Sequence, residues 1–265
     1  MVRDLRATLV GRRIDSVEVL RSDVLRVPAP DVLPAILVGQ RVAGVDRRGK
    51  FIMVELDSAD HLVVHLGMTG HLLVTAAEAP LPKHTHLRAG LDDGRELRFD
   101  DTRRFGRVAY GSPSALQDAR VLPRLGLEPL AAGFSQEAFD SVMRRTTRTV
   151  KAALLDQAGV AGLGNIYIDE ACFVARVRPT RRSHKLTRAE RVRLRVAIQT
   201  VLLNAIANRG SSVDDYRDIW NAQGSNQEAL QVYGRGGEPC LVCGTVLRRT
   251  VVAGRTTVYC PHCQR

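Results

Sequence analysis

Four cysteines near the end of the chain have the spacing of a metal site. Cys240 and Cys243 form one C-x-x-C pair, Cys260 and Cys263 form a second, and sixteen residues separate the inner two. Each such pair sits on a tight turn, so the four thiolates can converge on one tetrahedral zinc ion. Two disulfides are the alternative, which a reducing cytoplasm disfavours. We expect one structural Zn²⁺, because four thiolates leave no position open for a reactive water.

The segment between the two cysteine pairs is typical of a hairpin that presents an arginine. Residues 246–259 can pair as two strands, and Arg255 follows an Ala-Gly pair near the tip. A two-stranded hairpin alone is only marginally stable in water, so a bound metal would supply its rigidity.

Cys172 lies in an apolar helical run and is expected in a core. His262 stands between two of the ligands and is expected to be a bystander.

The charge of the chain indicates a nucleic-acid partner. Its 265 residues carry 39 Lys and Arg against 28 Asp and Glu, a formal net charge of +11, and 35 of the cations are Arg. Arg binds phosphate as a planar fork. Codon bias in a GC-rich genome would explain the ratio of Arg to Lys but not the excess of cations.

The start is polar and basic, unlike a signal peptide, and no apolar run reaches membrane-span length, so we expect a cytoplasmic protein.

The periodicity of the sequence changes from strand-like in its first half to helical in its second. Short β-rich runs separated by turn signals predict a sandwich or flattened barrel after one short helix at 2–9. These runs are 13–21, 41–48, 50–57, 61–66, 71–75, 86–92 and 95–100. Helical periodicity and capping patterns then predict helices beginning near 135 and spanning 149–156, 163–175 and 187–207. Polar residues 209–228 predict a long loop. The predicted fold class is α+β, and the predicted domains are a β domain over 1–115, a helical domain over 130–230 and a zinc ribbon over 231–265.

Four ordered stretches resemble one known family. They are RRGKFIMVEL (47–56), HLGMTGHL (65–72), DDTRRFG (100–106) and AGLGNIYIDE (161–170), followed by VYGRGGEPC and the cysteine pairs. Together they resemble the formamidopyrimidine-DNA glycosylase/endonuclease VIII family, and GNIY is more similar to the formamidopyrimidine side. The resemblance implies an N-terminal β-sandwich, a helix-two-turn-helix domain and a zinc finger. It also implies a base-excision-repair enzyme that removes oxidised purines from double-stranded DNA and then cuts the abasic site, working as a monomer.

The resemblance assigns roles to individual residues. It implies a catalytic role for Lys50 as a proton donor or phosphate contact. It implies that Arg255 contacts the phosphates flanking the lesion, and that Glu170 organises the active site. A solvated strand-end lysine and a surface helix acid are the alternatives for Lys50 and Glu170. The implied DNA contacts are His84, Arg103, Asn165, Met68 and Phe105.

Three of these contacts, Met68, Arg103 and Phe105, resemble a wedge that fills the gap left by a flipped base. An apolar blade beside a guanidinium suits that task, because both can occupy a base stack. Core packing is the alternative for Met68 and Phe105. Thr102 stands where the family commonly has proline, which affects the stiffness of the loop. Loop 209–228 falls where formamidopyrimidine enzymes carry a flap over the flipped base.

The family's nucleophile has no counterpart in the printed sequence. It is an N-terminal proline followed by glutamate, whereas MVRDLRATLVG joins the family pattern about seven residues in. Seven residues correspond to ~10 Å of helix or ~24 Å of extended chain, so the amine of Met1 is expected to fall short of the pocket. Translation from an upstream start would explain this, and a form that binds damage without excising it is the alternative. The first explanation is favoured because the other motifs read intact.

Overall fold

The chain folds into two structural units. The computed structural model describes residues 1–213 and 216–265. The first unit comprises Met1–Pro123 and the described residues of Arg209–Ser225, and the second comprises Arg124–Asn208 and Asn226–Arg265. The second unit therefore contains both the helices and the cysteine pairs.

The described residues of the first unit form eight strands and three short α-helices. The helices are α1 (Val2–Leu9), α2 (Val32–Leu37) and α3 (Pro113–Asp118). The strands are β1 (Ile14–Val19), β2 (Val42–Arg48), β3 (Phe51–Leu56), β4 (His61–His65), β5 (Gly70–Ala76), β6 (Thr85–Leu91), β7 (Arg95–Asp101) and β8 (Arg107–Gly111). All seven predicted strands are present. The sequence analysis missed β8, α2 and α3.

The strands form two antiparallel sheets that share one core, as the predicted sandwich requires. One sheet has the order β1-β6-β7-β5 and the other β2-β3-β4-β8. Side chains from both sheets, among them Val54 and Phe99, belong to one buried cluster. Ile219 is buried in the same cluster, and its carbonyl accepts a hydrogen bond from the Val74 amide at 2.9 Å. The backbone at Ile219 is thus attached to the edge of β5.

The second unit contains four α-helices and a hairpin. The helices are α4 (Gln136–Arg144), α5 (Val150–Leu155), α6 (Asn165–Val174) and α7 (Arg188–Ala207), and the strands are β9 (Arg248–Val252) and β10 (Arg255–Tyr259). Ser135 and Thr149 cap α4 and α5, and Thr187 with Glu190 forms a capping box on α7. These hydroxyls satisfy first-turn N–H groups, so the local sequence fixes where the helices begin.

Predicted loop 209–228 carries no helix or strand in its described part before a short 3-10 turn at Asn226–Ala229. Asp214 and Asp215 lie outside the described residues. In the part of the chain that the structure covers, no helix is both long enough and apolar enough to cross a membrane.

Candidate functional site

The four C-terminal thiols lie within one cluster. Their Sγ atoms are all within 4.8 Å of one another, and Cys243 and Cys260 are 3.5 Å apart while Cys240 and Cys263 are 4.0 Å apart. Tetrahedral zinc with Zn–S bonds of about 2.3 Å would separate its sulfurs by about 3.8 Å. None of the four is in a disulfide. The cluster therefore fits one structural zinc ion.

The hairpin beside this cluster presents Arg255. Strands β9 and β10 pair from Arg255 opposite Val252 to Tyr259 opposite Arg248. Ala253 and Gly254 form the two-residue turn with φ of 50° and 71°, a left-handed pair that matches the twist of a tight hairpin. Arg255 is exposed and is the first residue after that turn.

A buried ion pair connects two helices of the second unit to the hairpin. Lys151 on α5 and Asp169 on α6 are both fully buried, with Nζ and Oδ1 2.7 Å apart. Lys151 Nζ also donates to the Thr256 carbonyl at 2.8 Å, and Asp169 Oδ2 accepts from the Val258 amide at 3.1 Å. Both charges thus bond the backbone of β10 just after Arg255.

Burial and the partner charge act in opposite directions on this pair. Burial lowers the pKa of Lys151 and raises the pKa of Asp169 to about 6, while the partner opposes both changes. Lys151 Nζ has two acceptors within hydrogen-bond distance, and each Asp169 oxygen accepts one hydrogen bond. Removing one partner would leave the other charge buried and unpaired.

Asn165 is the first residue of α6 and has an unused acceptor. The N-cap, Gly164, provides no side-chain cap, and Gly162 has a left-handed φ of 82° that glycine adopts without strain. The Asn165 Oδ1 atom is buried without a hydrogen-bond partner. An uncapped helix N-terminus attracts phosphate through its N–H groups and dipole.

Glu170 lies in the interior, not on the helix surface. It is 4% exposed, and its two oxygens accept from the amides of Gln231, Val232 and Tyr233 at 2.8–2.9 Å. The carboxylate thus holds the segment that enters the ribbon (residues 231–265). Any influence of Glu170 on chemistry would pass through that segment.

Met68, Arg103 and Phe105 lie on two turns of the first unit. Met68 is 54% exposed and Phe105 is 49% exposed, so neither is a core residue. The Arg103 guanidinium carbon is 4.8 Å from the centre of the Phe105 ring, a cation–π contact. The two turns therefore expose an apolar blade, an aromatic ring and a planar cation.

Lys50 and His84 are also exposed in the first unit. Lys50 follows Gly49 in the tight connection between β2 and β3. His65 on neighbouring β4 has its pKa lowered, chiefly by burial and then by the Lys50 and Arg107 charges. His84 directly precedes β6, and its carbonyl accepts from the Asp101 amide at 3.0 Å.

Three family models match the chain in order. The formamidopyrimidine-DNA glycosylase N-terminal domain matches residues 1–108, the H2TH domain of the same enzyme matches residues 125–217, and the zinc finger found in FPG and IleRS matches residues 237–265. The chain belongs to the formamidopyrimidine-DNA glycosylase family.

Curated relatives agree with this membership over nearly the full chain. Formamidopyrimidine-DNA glycosylase of Herpetosiphon aurantiacus is 42% identical, over 99% of this chain and 96% of the relative. The enzyme of Symbiobacterium thermophilum is 44% identical, over 99% of this chain and 86% of the relative.

Solved structures of Lactococcus lactis Fpg share the fold. A mutant in complex with a Fapy-dG containing DNA has a TM-score of 0.91 at 33% identity, covering 100% of this chain and 96% of that one. A complex with an abasic site containing DNA has a TM-score of 0.90 at 32% identity, with the same coverage. The predicted fold class and zinc site are confirmed.

The sequence analysis missed the Lys151–Asp169 pair. Lys151 is one of only four lysines and interrupts an apolar helical run, which is a usable signal for a buried, paired cation. No local pattern identifies its contacts, because the Thr256 carbonyl is 105 residues away in the sequence.

Proposed function

We propose that this protein is a base-excision-repair DNA glycosylase that removes oxidised purines such as 8-oxoguanine and formamidopyrimidines and cleaves the strand at the abasic site. The observation that carries the proposal is the exposure of Met68, Arg103 and Phe105 together on two adjoining turns. Complexes of the Lactococcus lactis relative with Fapy-dG and abasic-site DNA support it.

The exposed triplet fits the requirements of base extrusion. Moving a base out of the stack costs a few kcal/mol, which contacts to the opened duplex must offset. Met68 and Phe105 offer apolar surface to the gap, and Arg103 offers hydrogen-bond donors to the base left without a partner. Because these side chains are exposed in the folded chain, they can enter a duplex without unfolding any core.

The cationic and polar residues would hold the backbone around the lesion. His84 is a proposed DNA contact, and Asn165 is a proposed phosphate contact at an uncapped helix N-terminus. Arg255 would bind phosphate at the tip of the hairpin. Lys50 would donate a proton during strand cleavage or contact phosphate, and Glu170 would act by ordering residues 231–233.

The zinc ion would supply rigidity alone. Cys240, Cys243, Cys260 and Cys263 would hold it and thereby fix the base of the hairpin. Every ligand position is a thiolate, so proton transfer and phosphate binding fall to the protein's side chains.

The remaining proposals concern organisation. We place the β-sandwich at 1–115, the helix-two-turn-helix domain at 130–230 and the ribbon at 231–265. The flap role of loop 209–228 is part of the proposal. The protein would act as a monomer on double-stranded DNA in the bacterial cytoplasm, associated with the nucleoid.

Borohydride trapping tests the enzymatic proposal. Protein expressed from the natural gene together with its upstream codons is incubated with duplex containing 8-oxoguanine or an abasic site, and borohydride is added. The expected result is a covalent protein–DNA adduct, because the reagent reduces the Schiff base of a lyase intermediate. Selective binding of damaged duplex without an adduct or cleavage would instead identify a damage-binding protein that does not excise.

A further inference from the structure

Asp101 connects the two exposed turns of the first unit. It is the last residue of β7 and is fully buried. Its Oδ1 accepts from the Thr69 hydroxyl at 2.5 Å and from the Arg103 amide at 3.2 Å, and its Oδ2 accepts from the Gly106 amide at 2.7 Å. One carboxylate thus binds a neighbour of Met68, Arg103 itself and a neighbour of Phe105.

The backbone of Asp101 reaches a third segment. Its carbonyl accepts from His86 Nε2 at 2.7 Å, and its amide donates to the His84 carbonyl at 3.0 Å. The exposed His84 is therefore attached to the same residue as the two turns.

The two turns also contact each other beside the Asp101 carboxylate. A Cβ added at Gly67 would lie 2.7 Å from the Gly106 amide nitrogen, and one added at Gly106 would lie 2.5 Å from the Phe99 ring. Only glycine permits so close an approach of two backbones. The turns therefore have little space in which to shift independently while Asp101 holds both.

We propose that Asp101 is the positioning residue for the exposed triplet, setting the relative placement of Met68, Arg103 and Phe105 before DNA arrives. The inference rests on the proposed function. The carboxylate oxygens of Asp101 accept hydrogen bonds from three donors on the two turns. The Thr69 hydroxyl adds a second link, because it also accepts from the Arg103 amide at 3.3 Å. Preorganisation of this kind saves the free energy of ordering the loops on binding.

Asp101→Asn is the sharpest variant, with Asp100→Asn as its matched control. The amide keeps the shape of the side chain but replaces one acceptor oxygen with a donor, so at least one turn must lose its bond. Asp100 lies next to it on β7, is 7% exposed, and pairs with Thr85 and His71 across the sheet. Thr69→Val removes the hydroxyl, and with it the bond donated to Asp101 and the bond accepted from the Arg103 amide, whereas Thr69→Ser retains both.

Two readouts separate positioning from a general loss of binding. The first is the ratio of affinities for a duplex with a tetrahydrofuran abasic analogue and for the same duplex intact. The second is the fluorescence of 2-aminopurine opposite the analogue, which reports whether that base is unstacked. We expect Asp101→Asn to lower the ratio about tenfold and to reduce the fluorescence change, with affinity for intact DNA retained. Thr69→Val should shift both in the same direction, whereas Thr69→Ser and Asp100→Asn should match the wild-type protein.

The outcomes distinguish this inference from the function on which it rests. Wild-type preference for the analogue together with unchanged values in Asp101→Asn would overturn the inference alone. An equal loss of affinity for both duplexes would also overturn it, since that result indicates damage to the whole unit. Absence of preference in the wild-type protein would overturn the proposed function and the inference with it. If thermal melting shows that Asp101→Asn does not fold, Thr69→Val decides the question by the same measurements.

Discussion

The exposed turns of the first unit and the hairpin of the second are both held in a defined conformation, but by different interactions. Both present the side chains proposed to contact DNA on short segments. The turns rest on a sandwich core and are joined by one buried carboxylate, Asp101. The hairpin is held by four thiols at its base and by Lys151 and Asp169 along β10.

The difference follows from what lies behind each segment. A large buried cluster supports the turns, so a few hydrogen bonds suffice to select their conformation. The ribbon's cluster contains only six buried residues, two of which are cysteines of the metal site. A two-stranded hairpin of that size needs a stronger constraint. The first unit should therefore stay folded after the loss of one contact at the turns, whereas the ribbon should unfold when one of its constraints is lost.

Removal of the metal should produce the largest effect. Structural zinc contributes on the order of 10 kcal/mol to the folding of small metal domains. Cys260→Ser, or a strong chelator, should therefore unfold the ribbon while hydrogen exchange in the sandwich remains protected. Hydrogen-exchange mass spectrometry with zinc analysis checks this. Cys172→Ala is the control, because that buried thiol lies outside the cluster and its loss should leave one zinc per chain. Equal loss of protection in both units would show that the sandwich depends on the metal as much as the ribbon does.

Breaking the buried ion pair should have the next largest effect. Lys151→Met leaves the Asp169 carboxylate buried without its cation, which costs about 3–5 kcal/mol in comparable pairs. Urea unfolding measures the cost, and exchange at Thr256 and Val258 locates it. The double variant Lys151→Met with Asp169→Leu should be more stable than Lys151→Met alone, because no uncompensated charge remains. A double variant at least as unstable as the single variant would show that the bonds to β10 matter more than the charge.

Loss of Arg255 should have the smallest effect on the fold and a specific effect on binding. Arg255→Ala should leave the melting temperature unchanged, because the side chain is exposed. DNA affinity should fall about tenfold at low salt, and the salt slope should decrease by about one phosphate contact. Binding titrations at several salt concentrations provide the measurement. Arg248→Ala is the matched control, an exposed cation on the same hairpin opposite Tyr259. Identical changes in both variants would indicate a general charge effect.

Much of the framework was predictable because it is encoded locally. The C-x-x-C spacing, the Ala-Gly turn and the Ser and Thr caps each act within a few residues. Strands β1 to β7 follow the predicted runs for the same reason. Helix α2 was missed because a proline lies in its first turn, a residue that usually signals a turn or loop. Strand β8 was missed although β4, which is equally short, was predicted. The placement of candidate residues was accessible mainly through the family resemblance.

The sequence by itself determined the zinc site, the order of sheet, helices and ribbon, and the residues that resemble a DNA-repair site. Only the tertiary structure decided which charged residues are buried and what they hold. Asp101 and Thr69 are 32 residues apart, and Lys151 and Thr256 are 105 apart. A buried carboxylate or ammonium is the same letter in the sequence as a solvated one. The difference arises from the desolvation and the partners that folding provides.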